Sequence, residues 1–186
     1  MKPILIDFPN EFYTDRLLIR RPDPGDGKVV FNAIQASIQE LKPWMEFAQK
    51  QQTEEDLEVF MREAHTNFIN REDLHLLVFD RKTGDFIASS GLHRINWSIP
   101  KFEIGYWIDS RKSGKGYMTE TVEGITNFAF ETLKARRVEI RCDSDNERSR
   151  RVAERLDFPL EGILKNSARS MDKSGLKDTC IFAKVR

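Results

Sequence analysis

The chain has 186 residues, a length that fits one compact domain around one hydrophobic core. Its 30 Lys and Arg residues equal its 30 Asp and Glu residues in number, so no overall positive charge favours binding to nucleic acid. The apolar runs are far too short to cross a bilayer, and the first residues lack the apolar segment of a signal peptide. We therefore expect a cytoplasmic protein with no membrane partner.

Cysteine and histidine usage predicts neither a disulfide nor a metal site. Cys142 and Cys180 are isolated from each other and form no C-x-x-C pair. His65, His75 and His93 show no ligand spacing among themselves or with either cysteine. Two reduced thiols and no metal are the expectation.

Apolar periodicity and turn formers predict a strand, two helices and a hairpin in the first half of the chain. Thr53 is followed by three acidic residues, and a hydroxyl cap with early carboxylates is typical of a helix start. The predicted elements are a strand at 16–20, a loop at 22–27, a helix from 29 that Pro43 closes, a helix from 53 to 68, and hairpin strands at 74–80 and 86–92.

The second half is predicted to alternate strands with two helices. Apolar residues from about 115 to 133 step by three or four positions, which is one face of a long helix. The other predicted elements are strands at 101–109, 137–142, 160–165 and 177–185 and a shorter helix at 146–156. Because strands outnumber helices and mostly follow one another, we predict an α+β fold in which a mixed, largely antiparallel sheet is flanked by helices.

A glycine-containing turn connects a predicted strand with the start of the long predicted helix. Gly114 and Gly116 allow positive φ and a close approach of backbone N–H groups to a ligand, and the helix start adds a partial positive charge of about half an electron. Arg111, Lys112 and Lys115 add full charges. The turn is therefore predicted to bind a pyrophosphate.

Spacing excludes the two common nucleotide-binding loops. The Walker pattern G-x-x-x-x-G-K-[ST] has no match in the chain, and Thr119 occupies the third glycine position of G-x-G-x-x-G. A flexible turn would be the better interpretation of an isolated G-x-G. The predicted strand–loop–helix setting favours a binding site instead.

This turn and the strand before it resemble the acetyl-CoA motif of the GNAT N-acetyltransferases. The strand reads Glu-Ile-Gly-Tyr-Trp-Ile-Asp at 103–109, and the turn reads Arg111-x-x-Gly114-x-Gly116. The strand is similar to that of the RimJ/RimL-like branch, the ribosomal-protein N-terminal acetyltransferases. Segments at 14–20, 145–149 and 175–184 look like the opening strand, the second cofactor segment and the last strand of that branch.

The resemblance implies a single GNAT domain over residues 1–186, with a splayed sheet of about seven strands and about four helices. Acetyl-CoA would be the cosubstrate, and its pantetheine would lie in the gap between the strands at 101–109 and 137–142. Backbone groups near Tyr106, Trp107 and Ile108 would bind the pantetheine, and Asn146 would hold it from the opposite side. The residues implied around the pyrophosphate are Arg111, Lys112, Ser113, Gly114, Lys115, Gly116, Tyr117, Met118 and Thr119.

One position departs from the family pattern. Many members have glycine before the Phe that ends the second cofactor segment, whereas this chain has Asp157. Because Asp adopts left-handed backbone more readily than most residues, we expect the turn to be retained.

Acetyl transfer to an amine requires a neutral amine, a polarised carbonyl and a proton for the departing thiolate. Glu103 is the predicted base, acting directly or through water, since its side chain should point from the splayed strand toward the acceptor. Without the resemblance, an exposed carboxylate paired with a surface lysine would be the better interpretation. Ser149 is the predicted proton donor to sulfur, with helix capping as its alternative role.

Trp44 and His93 are the predicted substrate-binding residues. Trp44 follows Pro43 in a loop and is expected to line the acceptor pocket, although packing is the commoner role of a tryptophan. His93 lies near a strand end and could assist as a base, although a lone histidine is more often a hydrogen-bonded polar group.

The predicted reaction is acetylation of a primary amine, with the N-terminal α-amine of a ribosomal or other protein as the expected acceptor. A small polyamine or antibiotic is the alternative acceptor, because the acidic residues at 53–56 and Glu63 could line a pocket for a cation. A non-catalytic acyl-CoA sensor is the alternative of another class, and Glu103 argues against it. The oligomeric state is left open, with a homodimer among the possibilities.

Overall fold

A computed structural model describes residues 2–186, which fold around one eight-stranded sheet. The strands are β1 Glu11–Tyr13, β2 Leu17–Arg20, β3 Leu74–Asp80, β4 Phe86–Asn96, β5 Lys101–Ile108, β6 Arg137–Asp143, β7 Leu160–Arg169 and β8 Leu176–Val185. Their order across the sheet is β1-β2-β3-β4-β5-β6-β8-β7. β5 and β6 are parallel, and all the other neighbours are antiparallel. The predicted mixed, largely antiparallel sheet is therefore confirmed.

Five α-helices flank this sheet. They are α1 Gly27–Ala36, α2 Ile38–Leu41, α3 Glu54–Asn70, α4 Tyr117–Asn127 and α5 Glu147–Arg155, and a π-helical turn at Phe128–Thr132 extends α4. Among residues 2–186, no helix is both long and apolar enough to cross a membrane.

The structure departs from the predicted elements at a helix and at a strand. The helix that Pro43 was predicted to close breaks earlier, at Ser37, because the buried Ser37 hydroxyl accepts a hydrogen bond from the backbone N–H of Ser110, 2.8 Å away. Strand β1 was not predicted, since its three residues are too few to show an alternating pattern. The sheet accordingly has eight strands rather than about seven.

The start of α3 agrees with its prediction. The Thr53 hydroxyl accepts a hydrogen bond from the Asp56 N–H at 3.1 Å, and the Asp56 carboxylate accepts one from the Thr53 N–H at 2.9 Å. This reciprocal capping box satisfies two backbone donors that the first turn would otherwise leave unpaired.

Buried side chains form one core on each face of the sheet, because successive residues of a strand point to opposite faces. In β3, Leu76 and Val78 join the core that α4 and α5 cover, whereas Leu77 and Phe79 join the core that α1 and α3 cover. β5 divides in the same way, with Phe102 and Ile104 in the first core. Odd-numbered residues of β5 therefore face the side of α1 and α3.

The sheet opens between its two parallel strands. β5 and β6 pair only from Lys101–Ile104 to Arg137–Ile140, although β5 continues to Ile108 and β6 to Asp143. On its other edge, β6 pairs with β8 over its full length. The predicted splay between these two strands is therefore present, and it begins at Gly105.

The family departure at Asp157 is accommodated by the backbone. Asp157 has φ +53°, in the left-handed region, and the following Phe158 is buried in the core. The Phe158 N–H donates to the carbonyl of Ala153 at 3.0 Å, which closes the end of α5. The expected turn is thus retained with Asp in place of Gly.

Replacing Asp157 with glycine is expected to stabilise the protein by about 0.5 kcal/mol. Glycine removes the left-handed strain of about 1–2 kcal/mol but loses about 0.5–1 kcal/mol in added chain entropy. Asp157→Ala keeps the strain without the short polar side chain and should be less stable than the native protein. Urea unfolding followed by circular dichroism measures both, and equal stability of the Gly and Ala variants would contradict this explanation.

Candidate active site

A buried carboxylate and an ion pair hold the turn that follows β5. Asp109, 1% exposed, accepts hydrogen bonds from the Arg111 backbone N–H at 3.0 Å and from its guanidinium at 2.6 Å. The Lys112 ammonium is 2.8 Å from Asp85. Arg111 and Lys112, both predicted to bind the cofactor, are thus already paired within the protein.

Lys115 is the remaining cation of the turn, and within residues 2–186 its ammonium forms no ion pair. It lies between Gly114 and Gly116, whose φ angles of +77° and +78° place both in the left-handed region. Gly116 also caps α4. The predicted need for two glycines is therefore met by the backbone conformation that they adopt.

Six consecutive backbone N–H groups at this turn are available to a ligand. In the described part of the chain, the amides of residues 114–119 donate no hydrogen bond, and the first amide of α4 that does is that of Glu120, to the carbonyl of Gly116. A β-carbon added at Gly114 would meet no atom within 4 Å, so the surface there is open. Free amides at a helix start, next to Lys115, are chemically suited to a diphosphate, and residues 114–119 are called the cradle below.

Arg16 and Glu120 hold the cradle in place, and neither was predicted as a site residue. The Glu120 carboxylate accepts hydrogen bonds from Thr14 and from the Arg16 guanidinium, both at 2.6 Å. Arg16 also donates to the carbonyl of Lys115 at 3.0 Å, and its guanidinium lies over the ring of Tyr117 at 4.6 Å. The stretch around Arg16 was interpreted only as an opening strand, although its charged residue was the available signal.

A hydrogen-bonded pair lies across the opening of the sheet. The Tyr106 hydroxyl is 3.0 Å from the Ser149 hydroxyl and donates to the Ser149 carbonyl at 3.1 Å. Asn146 accepts from the Ser149 N–H at 3.1 Å and is the N-cap of α5. The capping role considered for Ser149 is thus filled by Asn146, which leaves the Ser149 hydroxyl bound to the β5 side.

Burial keeps the titratable groups around Ser149 protonated. It raises the pKa of Tyr106, and it raises the pKa of the Cys142 thiol to about 11 although a hydrogen bond with Ser149 opposes the shift. A protonated phenol and a protonated thiol therefore surround this hydroxyl at neutral pH.

Glu103 points to the face of β5 opposite to that of Tyr106. It is the last residue on that face to pair with β6 before the two strands separate. It is directly across from His93 of β4 and from Glu139 of β6. Burial raises the pKa of Glu103, and the Arg94 guanidinium, 3.6 Å away, partly counteracts the shift. A carboxylate with a raised pKa is a better proton acceptor than an exposed one.

The two tryptophans singled out in the sequence have different surroundings. Trp107 packs against Phe86 and Phe47, with ring centroids 5.8 and 5.9 Å apart, on the face of β5 that carries Glu103. Trp44 lies in the turn after α2, half-buried. The aromatic contacts described for residues 2–186 join Phe47 to this face rather than Trp44, so a role for Trp44 stays a prediction.

The structure also brings together two histidines for which no spacing in the sequence indicated a common site. One ring nitrogen each of His75 and His93 and one carboxylate oxygen of Asp73 all lie within 4.8 Å of one another. His93 Nδ1 is 2.8 Å from the Asp73 carboxylate, and His75 Nε2 is 2.9 Å from the Ser89 hydroxyl. Pairing of β3 with β4 creates this cluster, which spacing along the chain could not reveal.

Comparison with known proteins identifies the family to which this fold belongs. The sequence pattern of the acetyltransferase (GNAT) domain matches residues 16–159. A relative named putative ribosomal N-acetyltransferase YdaF, from Bacillus subtilis (strain 168), is 31% identical over 155 residues, which cover 82% of this chain and 81% of the relative. The chain belongs to the GNAT acetyltransferase family. This GNAT protein is therefore an N-acetyltransferase with acetyl-CoA as its cosubstrate.

Other similar proteins agree with this membership. The ribosomal-protein-serine acetyltransferase of Escherichia coli (strain K12) is 33% identical over 104 residues, or 56% of this chain and 57% of that protein. Among solved structures, the acetyltransferase MccE in complex with acetyl-CoA and AMP has a TM-score of 0.88 at 20% identity, covering 96% of this chain and 98% of that one. RimL in complex with coenzyme A has a TM-score of 0.85 at 20% identity, covering 92% and 95%. At 20% identity, these two structural similarities show that the fold is shared.

The Gly116→Ala variant is expected to bind acetyl-CoA about tenfold more weakly, a loss of about 1.4 kcal/mol, because its β-carbon strains the left-handed conformation that aims the amides. Gly84→Ala is the matched control, since Gly84 has a similar φ of +73° in the turn between β3 and β4. Isothermal titration calorimetry with acetyl-CoA measures both. Equal affinities in the two variants would show that the Gly116 conformation is not needed for binding.

Proposed function

We propose that this enzyme acetylates the α-amine at the N-terminus of a protein or peptide, with residues 1–186 acting as one acetyltransferase domain. The amine would attack the thioester of acetyl-CoA directly, while both substrates are bound. The names of the similar Bacillus subtilis and Escherichia coli proteins, which refer to ribosomal proteins, support this acceptor class. The observation that carries the proposal is the half-buried Glu103 beside the opening between β5 and β6.

The choice of acceptor follows from the proton that the amine must lose. A terminal α-amine has a pKa of about 7.7–8.0, whereas a lysine side chain has one of about 10.4. The α-amine is therefore partly neutral at pH 7, and one modest base suffices to complete its deprotonation. Glu103, with its pKa raised by burial, is that base in our proposal.

Binding of acetyl-CoA would use both halves of the opened sheet. Its diphosphate would take the free amides of residues 114–119, and its pantetheine amides would pair with backbone groups of Tyr106, Trp107 and Ile108. Asn146 could take part from α5, because among residues 2–186 no group accepts a hydrogen bond from its side-chain NH₂. This arrangement would place the thioester beside Gly105, where β5 and β6 separate.

Ser149 would supply the proton that the departing thiolate needs. Its hydroxyl is already bonded to Tyr106, which could pass on a proton in turn. The pKa of Tyr106 is raised, so the phenol holds its proton at neutral pH. We expect Ser149→Ala to slow turnover only modestly, because solvent can also protonate a thiolate.

The polyamine alternative is less well supported, since one of the acidic residues behind it, Asp56, is already engaged within the protein. Asp56 is bonded to Thr53 in the capping box of α3. Glu58, a further carboxylate of α3 outside that set, accepts hydrogen bonds from the backbone N–H groups of Gly25 and Gly27. These carboxylates stabilise helix α3 and the neighbouring loop.

A thiol-release assay with acetyl-CoA tests the acceptor class directly. We expect turnover with a peptide that begins with serine, and at least about tenfold less with spermidine or with the same peptide blocked at its N-terminus but containing lysine. Faster turnover with spermidine, or a large loss on Glu63→Gln, would favour the polyamine alternative. No turnover with any amine would overturn the proposal.

The Glu103→Gln variant separates catalysis from stability. Removing the base should lower kcat about 100-fold. The same change should stabilise the fold at neutral pH. Folding raises the pKa of this carboxyl, so the free energy of unfolding falls as the pH rises from the unfolded pKa through the folded pKa, and glutamine removes that loss. Steady-state kinetics and urea unfolding between pH 4 and pH 8 measure the two effects. Glu63→Gln, at an exposed position of α3, is the control. Full activity of Glu103→Gln across this range would refute the assignment.

A further inference from the structure

His93 is held on one side of its ring and free on the other. Its Nδ1 is 2.8 Å from the Asp73 carboxylate, whereas its Nε2 has no hydrogen-bond partner in the described chain. The side chain is 28% exposed. A histidine that is oriented through one nitrogen and accessible at the other can exchange a proton with a ligand.

Two glycines leave the space in which this ring lies. A β-carbon at Gly91 would come within 2.8 Å of His93 Nε2, and one at Gly105 would lie 3.1 Å from its Cδ2 and 3.4 Å from its Nε2. Gly105 is the first residue of β5 beyond the last pair with β6, Ile104 with Ile140. Nε2 therefore lies over the edge of the opening, on the face that carries Glu103.

His93 and His75 lie in one cluster of titratable and charged groups. Burial lowers the pKa of His75 to about 4, so that ring stays neutral, and its edge contact is with the apolar ring of Phe60 from α3. The titratable and charged groups that face the pair from the packed strands are Asp73 and His75 at β3, Arg94 on β4, Glu103 on β5, and Glu139 and Arg141 on β6. Asp73 bonds directly to the ring, and Glu103 lies directly across from it on β5.

The reaction needs a second proton acceptor besides Glu103. A terminal ammonium must lose two protons to become an amide nitrogen, one before its lone pair can attack and one after the C–N bond forms. One proton ends on the coenzyme A sulfur, which leaves with the electrons of the C–S bond, and the other ends in solvent. Glu103 accounts for the first deprotonation in the proposed function.

We propose that His93 is a second catalytic residue, whose Nε2 accepts, directly or through one water, the proton that the amine nitrogen loses as the C–N bond forms. Asp73 is its positioning residue, since it holds the ring through Nδ1. Ser149 gives its proton to the sulfur and regains one from solvent, while Glu103 and His93 each release to solvent the proton that they have gained, so that the net products are the acetylated amine, the coenzyme A thiol and one proton. This inference rests on the proposed function and assigns one more group to it.

His93→Gln and Asp73→Asn test this proposal, with His65→Gln as the matched control. His65 also pairs with an aspartate, 3.3 Å from Asp23, but it lies on α3 beside the loop at 22–27. We expect kcat with a serine-terminated peptide to fall about 100-fold in His93→Gln and about tenfold in Asp73→Asn, and to be unchanged in His65→Gln. Calorimetric affinity for acetyl-CoA should be unchanged in all three.

The pH dependence distinguishes catalysis from a structural role. Deprotonation of the peptide amine is common to all variants, so it cancels in the ratio of variant to wild-type kcat/KM. This ratio should change with pH for His93→Gln and for Asp73→Asn, because each alters the group that takes the proton, and should be flat for His65→Gln. A flat ratio for both site variants would overturn the proposal.

Nuclear magnetic resonance provides a readout without turnover. The imidazole C–H resonance of His93, assigned by its absence from the His93→Gln spectrum, should shift when the peptide alone is added, and an unmoved resonance would contradict the proposal. Should His93→Gln fail to fold, Asp73→Asn and this titration still decide the matter. Full activity of His93→Gln while Glu103→Gln is slow would overturn this inference alone, whereas no wild-type turnover with any amine would overturn the proposed function together with it.

Discussion

The parallel strands β5 and β6 pair over only four residues of each strand, and the candidate active site depends on that limit. β6 keeps its partner β8 along its whole length, and β5 keeps its partner β4, so the two halves of the sheet remain intact while they separate from each other. Buried backbone groups without partners are strongly unfavourable. The facing edges beyond Ile104 are therefore edges at which an extended ligand with amide groups can complete the hydrogen bonding.

The groups with chemical roles are distributed around that opening according to the pleat of β5. Tyr106 points to the side of α5 and meets Ser149, whereas Glu103 points to the opposite side and faces His93. The proton donor proposed for sulfur and the proton acceptors proposed for nitrogen thus lie on different sides of one strand. Since the thioester would lie beside this strand, the two proton transfers would not compete for the same groups.

The cradle depends on contacts between residues that are distant in sequence. Arg16, directly before β2, bonds both to Glu120 in the first turn of α4 and to the carbonyl of Lys115. Asp109 fixes the other end of the turn through Arg111. Arg111 and Lys112 neutralise carboxylates of the protein, so the free amides and Lys115 provide the attraction for an anion.

The sequence by itself determined the elements whose signal is local. The hairpin of β3 and β4, the capping pattern at Thr53 and the two glycines before α4 are specified through neighbouring residues, and the structure agrees with each of them. The acetyl-CoA motif was likewise contiguous in sequence. Only the tertiary structure decided the break at Ser37, which depends on Ser110, and the meeting of Asp73 with His93 across two paired strands. Hydrogen bonds between residues far apart in the chain leave no periodic trace in the sequence, because either partner alone looks like an ordinary polar residue.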